Sequence, residues 1–371
     1  MTAIDLFAPV DLLVLGGTVV TAAGSRPADV AVAGGSIVAL EPDLAGLAAS
    51  ARETVDATGL LVLPGCVDVH THTRVATDAE PDRFFRDSVA AAFGGTTTFL
   101  AFNNPGTGAS PRAERSLLAG LSEWRAATGS DSAIDCGVSL VISGRAEDPV
   151  AELGAIVEAG VPTCKAFMIF DFRLPDAAIL DAMRVLGDRG GMLEVHCEDP
   201  VLVDAAVADA LRRGDLAARH HPATRSPDAE AVATHRAMAF ARAAEAPAYA
   251  VHVSSAAALH EIAEAKAGGI RAFAETCPHY LVLDASRYDL PPELCARYIV
   301  TPPLRSTADQ DALWEGLASG TLDLVASDHV PDRAAVEKQS YRESFDRISN
   351  GARGSRPCSR SSTRRASPEA A

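Results

Sequence analysis

Apolar and polar positions divide the chain into two regimes. Between residues 10 and 63 the apolar residues fall in short runs separated by glycine pairs. Asp11-Leu12-Leu13-Val14-Leu15 meets Gly16-Gly17 and then Thr18-Val19-Val20-Thr21, and Asp29-Val30-Ala31-Val32 meets Gly34-Gly35 and then Ile37-Val38-Ala39-Leu40. Runs of this length joined by tight glycine turns predict β-hairpins, and residues 1–63 are expected to form a small β-module with its own core. From about residue 64 strands and helices alternate. Eight β-rich runs follow one another: Cys66 to His70, Thr96 to Phe102, Ile134 to Ile142, Thr163 to Ile169, Met192 to Cys197, Tyr249 to Val253, Arg271 to Thr276 and Leu322 to Ala326. Between them lie amphipathic stretches such as Asp176 to Arg189 and Ala256 to Ala267.

Alternating β and α elements predict a parallel sheet. Eight of them predict closure into a (β/α)8 TIM-type barrel over residues 64–350. An open doubly wound sheet is the competing α/β architecture, but no glycine-rich phosphate fingerprint follows the first strand. Residues 351–371 read differently. They hold five arginines and five serines and no Leu, Ile, Val or Phe, so the segment cannot bury apolar surface and is expected to be disordered.

Composition narrows the class of protein. The chain has 371 residues, enough for one barrel of ~250 residues and a smaller appendage. A formal net charge of −16 argues against nucleic acid or an anionic membrane surface as a partner. No basic segment leading into an apolar core opens the chain, and no apolar run reaches ~18 residues, so a cytoplasmic protein is expected. Seven cysteines, at 66, 136, 164, 197, 277, 295 and 358, show no paired spacing. Most sit in apolar runs, as small buried hydrophobes do, which fits a reducing compartment.

The chemistry is concentrated at strand ends. His70-Thr71-His72 closes the first run, and in an extended segment residues i and i+2 point the same way, so both imidazoles can face one ion. A lone histidine is more often structural, but an H-x-H at the C-terminal end of a first barrel strand is a specific metal-binding signal. Lys165 lies in the fourth run, His196 ends the fifth, His252 lies in the sixth and Asp328 follows the eighth. The C-terminal ends of barrel strands share one mouth. His220, His221 and His235 lie in polar or helical sequence and read as solvated, His260 sits in a helix, and His279 and His329 flank strand ends. Lys165 has two readings. It is a buried amine paired with a carboxylate or reaching water, or desolvation frees the amine to react with carbon dioxide and form an anionic carbamate.

Seven segments in unbroken order carry a resemblance: Gly65-Cys66-Val67-Asp68-Val69-His70-Thr71-His72, Lys165-Ala166-Phe167-Met168, Glu194-Val195-His196-Cys197-Glu198, Val251-His252-Val253-Ser254-Ser255, Glu275-Thr276-Cys277-Pro278-His279-Tyr280-Leu281, Thr301-Pro302-Pro303-Leu304-Arg305 and Ser327-Asp328-His329. From about residue 10 to 352 the chain resembles the cyclic amidohydrolases, with dihydropyrimidinases and hydantoinases nearest and allantoinases next. The resemblance implies two divalent cations, zinc in the family. His70, His72, Lys165 and Asp328 would hold one; Lys165, His196 and His252 would hold the other, with carbamylated Lys165 bridging them. It implies hydrolytic opening of a dihydropyrimidine or hydantoin ring by a hydroxide shared between the cations, with Asp328 moving the proton to the leaving nitrogen. It also implies ring-amide contacts at Thr301 and Asn350. Asn103-Asn104 resembles the substrate-binding asparagine of dihydroorotases, which makes Asn104 a further candidate.

Two departures from the pattern stand out. Five residues after the lysine the relatives carry a tyrosine whose hydroxyl stabilises the oxyanion, and this chain has Phe170. Loss of one such donor can cost ~10²–10³ in rate. The match also stops at Ala352, where relatives continue with an eighth helix, strands that complete the β-module, and contacts for a tetramer-like homo-oligomer. A truncated or frameshifted reading frame is the expectation that follows, leaving a small N-terminal β-sandwich module incomplete. An allantoinase, a non-catalytic scaffold and an inactive fragment are the rival readings.

Overall fold

The computed structural model describes residues 10–75, 80–104, 112, 114–129 and 131–351. The Arg/Ser-rich tail beyond Gly351 and Cys358 lie outside the described residues. The chain divides into two compact units, residues 1–66 and 67–371, so the boundary falls three residues later than the sequence pattern placed it.

The first unit holds seven strands: β1 (Leu12–Leu15), β2 (Thr18–Thr21), β3 (Gly24–Pro27), β4 (Asp29–Ala33), β5 (Ser36–Glu41), β6 (Glu53–Asp56) and β7 (Leu61–Val62). They form a four-stranded sheet in the order β5-β4-β1-β6 and a three-stranded sheet in the order β3-β2-β7. Val14, Val30, Val32 and Leu40 of the first sheet pack with Val19 and Val62 of the second, which is the core of a β-sandwich. One predicted hairpin forms. Gly34 (φ 57°) and Gly35 (φ 75°) both adopt the left-handed backbone that a two-residue turn requires, and β4 pairs with β5 across it. The other does not form. Only Gly16 has a positive φ (73°), and a Cβ on Gly17 would lie 2.5 Å from Val62. The pair therefore carries the chain from one sheet to the other, and β1 pairs with β4 and β6 instead of β2.

The second unit is built on eight parallel strands in sequence order: β8 (Cys66–Thr71), β9 (Thr96–Phe102), β10 (Asp135–Val141), β11 (Thr163–Phe167), β12 (Met192–His196), β13 (Ala248–Ala250), β14 (Ala272–Thr276) and β15 (Leu324–Val325). The sixth and eighth are shorter than their apolar runs. The ends of the curled sheet meet beyond β15, where Thr71 bridges His329 and the His72 N–H donates to the His329 carbonyl at 2.7 Å. Helices cover the outside. In Asp176–Gly187 the buried residues are Ile179, Ala182, Met183 and Leu186, one apolar stripe at helical spacing. They share a core with Cys164, Ala166, Leu193 and Val195 from the neighbouring strands. Helix starts are capped by side chains, with Ser116, Asp199, Ser226, Ser255 and Ser306 accepting from the first turn. No helix among the described residues is long and apolar enough to cross a membrane.

Candidate metal centre and substrate pocket

Strand alternation decides which side chains enter the barrel. In β11, Cys164 and Ala166 join the apolar layer under the helices, so Lys165 and Phe167 take the opposite face. In β12 the same parity sends Leu193 and Val195 outward and Glu194 and His196 inward, and Glu198 follows two positions later. In β8 it places Asp68 and His70 together, with His72 just past the strand. Lys165 is fully buried, and His70 and His196 are 1% and 2% exposed.

Three donor atoms converge where β8 meets the segment after β15. His70 Nε2 lies 3.3 Å from His72 Nε2 and 3.3 Å from Asp328 Oδ1, and His72 Nε2 lies 3.1 Å from the same oxygen. All three residues are buried and present one ligand atom each within metal-binding distance of the others. Alongside, the His196 and His252 rings meet edge to face with centroids 4.5 Å apart, and His252 stands 5.4 Å from His70. Lys165 Nζ sits over the Phe102 ring at 4.7 Å and the Phe167 ring at 5.2 Å, and it has no hydrogen-bond partner.

Burial dominates the electrostatics of this cluster. It pushes His70, His252 and His196 below the usual imidazole range, and the nearby Lys165 charge adds to the effect. Burial also lowers the Lys165 ammonium, against the opposing pull of Glu194, Glu275 and Asp328. Burial alone would raise the Asp328 carboxyl, but His70 and His72 outweigh it and hold Asp328 well below the ordinary carboxylate range. Burial thus works toward uncharged imidazole and amine nitrogens, the forms that can ligate a cation.

Backbone strain marks the same place. Four non-glycine residues among those described have positive φ, and three of them line one cavity: Phe170 (74°), His252 (41°) and Asp328 (46°). Such conformations cost about 1–3 kcal/mol each and persist where the surroundings enforce them. The cavity has a volume of about 320 Å³ and includes His72 and His196 in its wall. Thr301, Asn350 and Asn104, the candidate ring contacts, also line it. The Thr301 hydroxyl donates to Asn350 Oδ1 at 2.8 Å. Asn103 is spent on structure, its side chain accepting from the Val141 N–H at 2.8 Å. Phe170 packs against Phe172 with ring centroids 5.7 Å apart, and the Arg225 guanidinium lies over its ring at 5.6 Å.

The sequence reading placed two histidines wrongly. His252 lies beyond the end of β13 rather than within a strand, in a left-handed conformation that turns the chain at the barrel mouth. His221 is not solvated. It is 3% exposed, and its Nε2 donates to the Val300 carbonyl at 3.0 Å. His235 is exposed as expected, paired with Glu261.

Supporting groups went unassigned from sequence. Glu275 Oε1 contacts His70 Nδ1, and Glu275 Oε2 accepts from the Tyr249 hydroxyl at 2.5 Å. Glu198 accepts from His196 Nε2 and from Arg225, both at 2.7 Å, which leaves Nδ1 as the His196 nitrogen for a cation. Partners of this kind fix ring orientation around metals. Glu194 and His196 alternate along β12 and Glu198 continues the spacing just past its end, and that period-two pattern was the available signal. Cys277 and His279 form a second buried group with Asp328, and both His279 ring nitrogens lack a hydrogen-bond partner. Burial holds His279 down to about 4.

No family model matches the chain. Individual proteins do. The D-hydantoinase of Streptomyces coelicolor is 37% identical over 348 residues, which are 92% of this chain and 73% of that protein. The D-hydantoinase of Ralstonia pickettii is 34% identical over 93% of this chain and 74% of its own length. Among solved structures, the dihydropyrimidinase of Brevibacillus agri superposes with a TM-score of 0.84 at 35% identity, over 93% of this chain and 74% of that one. A D-hydantoinase structure gives 0.86 at 34%, over 94% and 75%. With identity above 30% across nine-tenths of its length and a TM-score of 0.84 to a solved dihydropyrimidinase, the chain belongs to the hydantoinase and dihydropyrimidinase family of cyclic amide hydrolases.

Proposed function

We propose that this chain hydrolyses a cyclic amide, opening a hydantoin or dihydropyrimidine ring in the cavity at the barrel mouth. The observation that carries this reading is the convergence of His70, His72 and Asp328 beside a fully buried, unpartnered Lys165. That donor set fits divalent cations, zinc in our reading, because imidazole nitrogens, carboxylate oxygens and an open cavity are what a catalytic site of this type needs. His70, His72 and Asp328 would hold one cation, His196 and His252 the second, and Lys165 both. Such cations lower the pKa of water and polarise the carbonyl under attack.

The chain's own residues do the rest. Burial favours the free amine of Lys165, which adds to carbon dioxide, releases a proton and becomes a carbamate anion. A repelling ammonium is thereby replaced by a negative ligand. Asp328 would take a proton from the attacking water and deliver it to the leaving ring nitrogen. Thr301 and Asn350 receive the ring amide, and Asn104 faces the same space. Phe170 supplies packing without a hydroxyl, so this position offers the carbonyl oxygen no hydrogen bond and its stabilisation would fall to the bound cations. The named relatives are hydantoinases and a dihydropyrimidinase, which favours those rings over allantoin.

The test is metal analysis and parallel assay of the purified chain supplied with zinc and bicarbonate. Two metal ions per chain are expected, with turnover of hydantoin or dihydrouracil exceeding that of allantoin. Folded protein that binds no metal would overturn the reading.

A further inference from the structure

The segment Ile299–Pro302 is held by buried donors on either side of Thr301. The Ile299 carbonyl accepts from Lys338 Nζ and from the Gly351 N–H, both at 3.0 Å. The Val300 carbonyl accepts from His221 Nε2 at 3.0 Å, and the Pro302 carbonyl from the Tyr280 hydroxyl at 2.5 Å. Lys338, His221 and Tyr280 are 4%, 3% and 2% exposed. They come from three separate parts of the barrel: a loop after β15, a turn after β12 and the helix Pro278–Val282. No donor among the described residues falls on the carbonyl of Thr301 itself, and Thr301 lines the cavity.

Lys338 also reaches the other candidate substrate segment. Its ammonium donates to the carbonyls of Ser349 and Gly351, the latter at 2.7 Å, so it brackets Asn350. An ammonium has three protons, and here three carbonyls from two segments receive them. Asp332 Oδ2, 3.8 Å away, offsets the buried charge. A neutral side chain could not satisfy the three acceptors together, and leaving buried carbonyls unpaired is costly. None of the six candidate metal ligands touches Lys338 by hydrogen bond or ion pair.

We propose that Lys338 is a positioning residue whose buried ammonium ties the Ile299–Pro302 segment to Ser349–Gly351, setting Thr301 and Asn350 in register for the substrate ring. His221 and Tyr280 anchor the same segment through the Val300 and Pro302 carbonyls. The inference rests on the reading that Thr301 and Asn350 receive the ring. Residues that hold a binding loop without touching the metal site act on substrate binding more than on the chemical step, so their loss raises KM with little change in kcat.

The experiment uses the zinc-loaded full chain with Lys338→Met and Tyr280→Phe, the latter removing a single oxygen. Steady-state kinetics on hydantoin or dihydrouracil are paired with metal analysis and amide hydrogen exchange. For Lys338→Met the expected result is a KM raised about tenfold or more, a kcat within about threefold, and an unchanged metal count. Exchange at residues 299–304 and 349–351 should accelerate together, with residues 66–72 unchanged. Tyr280→Phe should shift KM in the same direction by a few-fold. If Lys338→Met does not fold, Tyr280→Phe carries both readouts. Unchanged exchange in the folded variants would overturn the tie itself. Faster exchange with an unchanged KM would overturn the positioning role and separately count against Thr301 and Asn350 as ring contacts.

Discussion

Glu275 grips His70 from behind: its carboxylate meets Nδ1 of the imidazole, so Nε2 is the nitrogen presented to His72 and Asp328. The Tyr249 hydroxyl and the His252 N–H hold the carboxylate in place at 2.5 and 3.2 Å. One buried acid thus fixes the tautomer of one histidine and the backbone approach of another.

Replacing Glu275 with glutamine should therefore weaken the centre without emptying the cavity. A lost orienting carboxylate typically costs about 10–100-fold in metal affinity or activity. Competition with a chelator of known affinity, read against the parent protein, measures the loss. Affinity within twofold of the parent would remove Glu275 from the support of the site.

Lys165→Arg should remove the proposed carbamate while keeping a positive charge in the barrel. Arginine stays protonated and takes up no carbon dioxide. With ¹³C-bicarbonate, the parent should give a carbamate carbon signal that the variant lacks, and the metal content of the variant should fall. A parent without that signal in metal-loaded form would refute carbamylation.

Phe170→Tyr would restore a hydroxyl at the edge of the cavity. Phe170 is half-buried, lines the cavity and already holds a left-handed backbone, so tyrosine requires no new backbone conformation. One oxyanion donor is worth ~10²–10³ in rate where its geometry is right. A rise in kcat of about tenfold or more is expected on hydantoin. No rise would mean that the carbonyl oxygen does not approach this position.

Lys338 makes two pH effects of opposite sign. Burial pushes its ammonium down from 10.5 to about 8, with Asp332 and Glu337 opposing the fall and Arg74 adding to it. Above about pH 8 the folded chain holds a neutral amine with fewer donors, so KM should rise. The unfolded chain keeps its proton to near 10.5, so unfolding takes up a proton between about pH 8 and 10.5. Stability then gains from this group as pH rises through that window. Lys338→Met should lose both trends, as KM profiles and denaturant unfolding at pH 7.5 and 9.5 would show.

Much of this was legible in order and period. Eight apolar runs divided by helical stretches located all eight barrel strands, because a buried parallel strand needs a continuous apolar run and each crossover needs a helix. The β-module was read less well. Gly16-Gly17 and Gly34-Gly35 look alike in sequence, and only the packing of Val62 and Ala57 against Gly17 separates a crossover from a hairpin. His221 shows the same limit. Its polar neighbours suggested a solvated ring, whereas the fold buries it to hold the Val300 carbonyl.

By itself, the sequence determined the alternation of elements, the face each strand residue takes, and hence that His70, Lys165 and His196 point into one barrel. These are local properties, set by a side-chain period of two and by apolar content. Which groups come into contact was decided only by the tertiary structure. Asp328 reaches His70 and His72 because the sheet curls until Thr71 meets His329. Glu275 reaches His70, and Lys338 reaches Ile299 and Gly351, across long stretches of chain. No periodicity records such pairings. They arise because buried charges and carbonyls must find partners, and only the closed fold fixes which ones lie within reach.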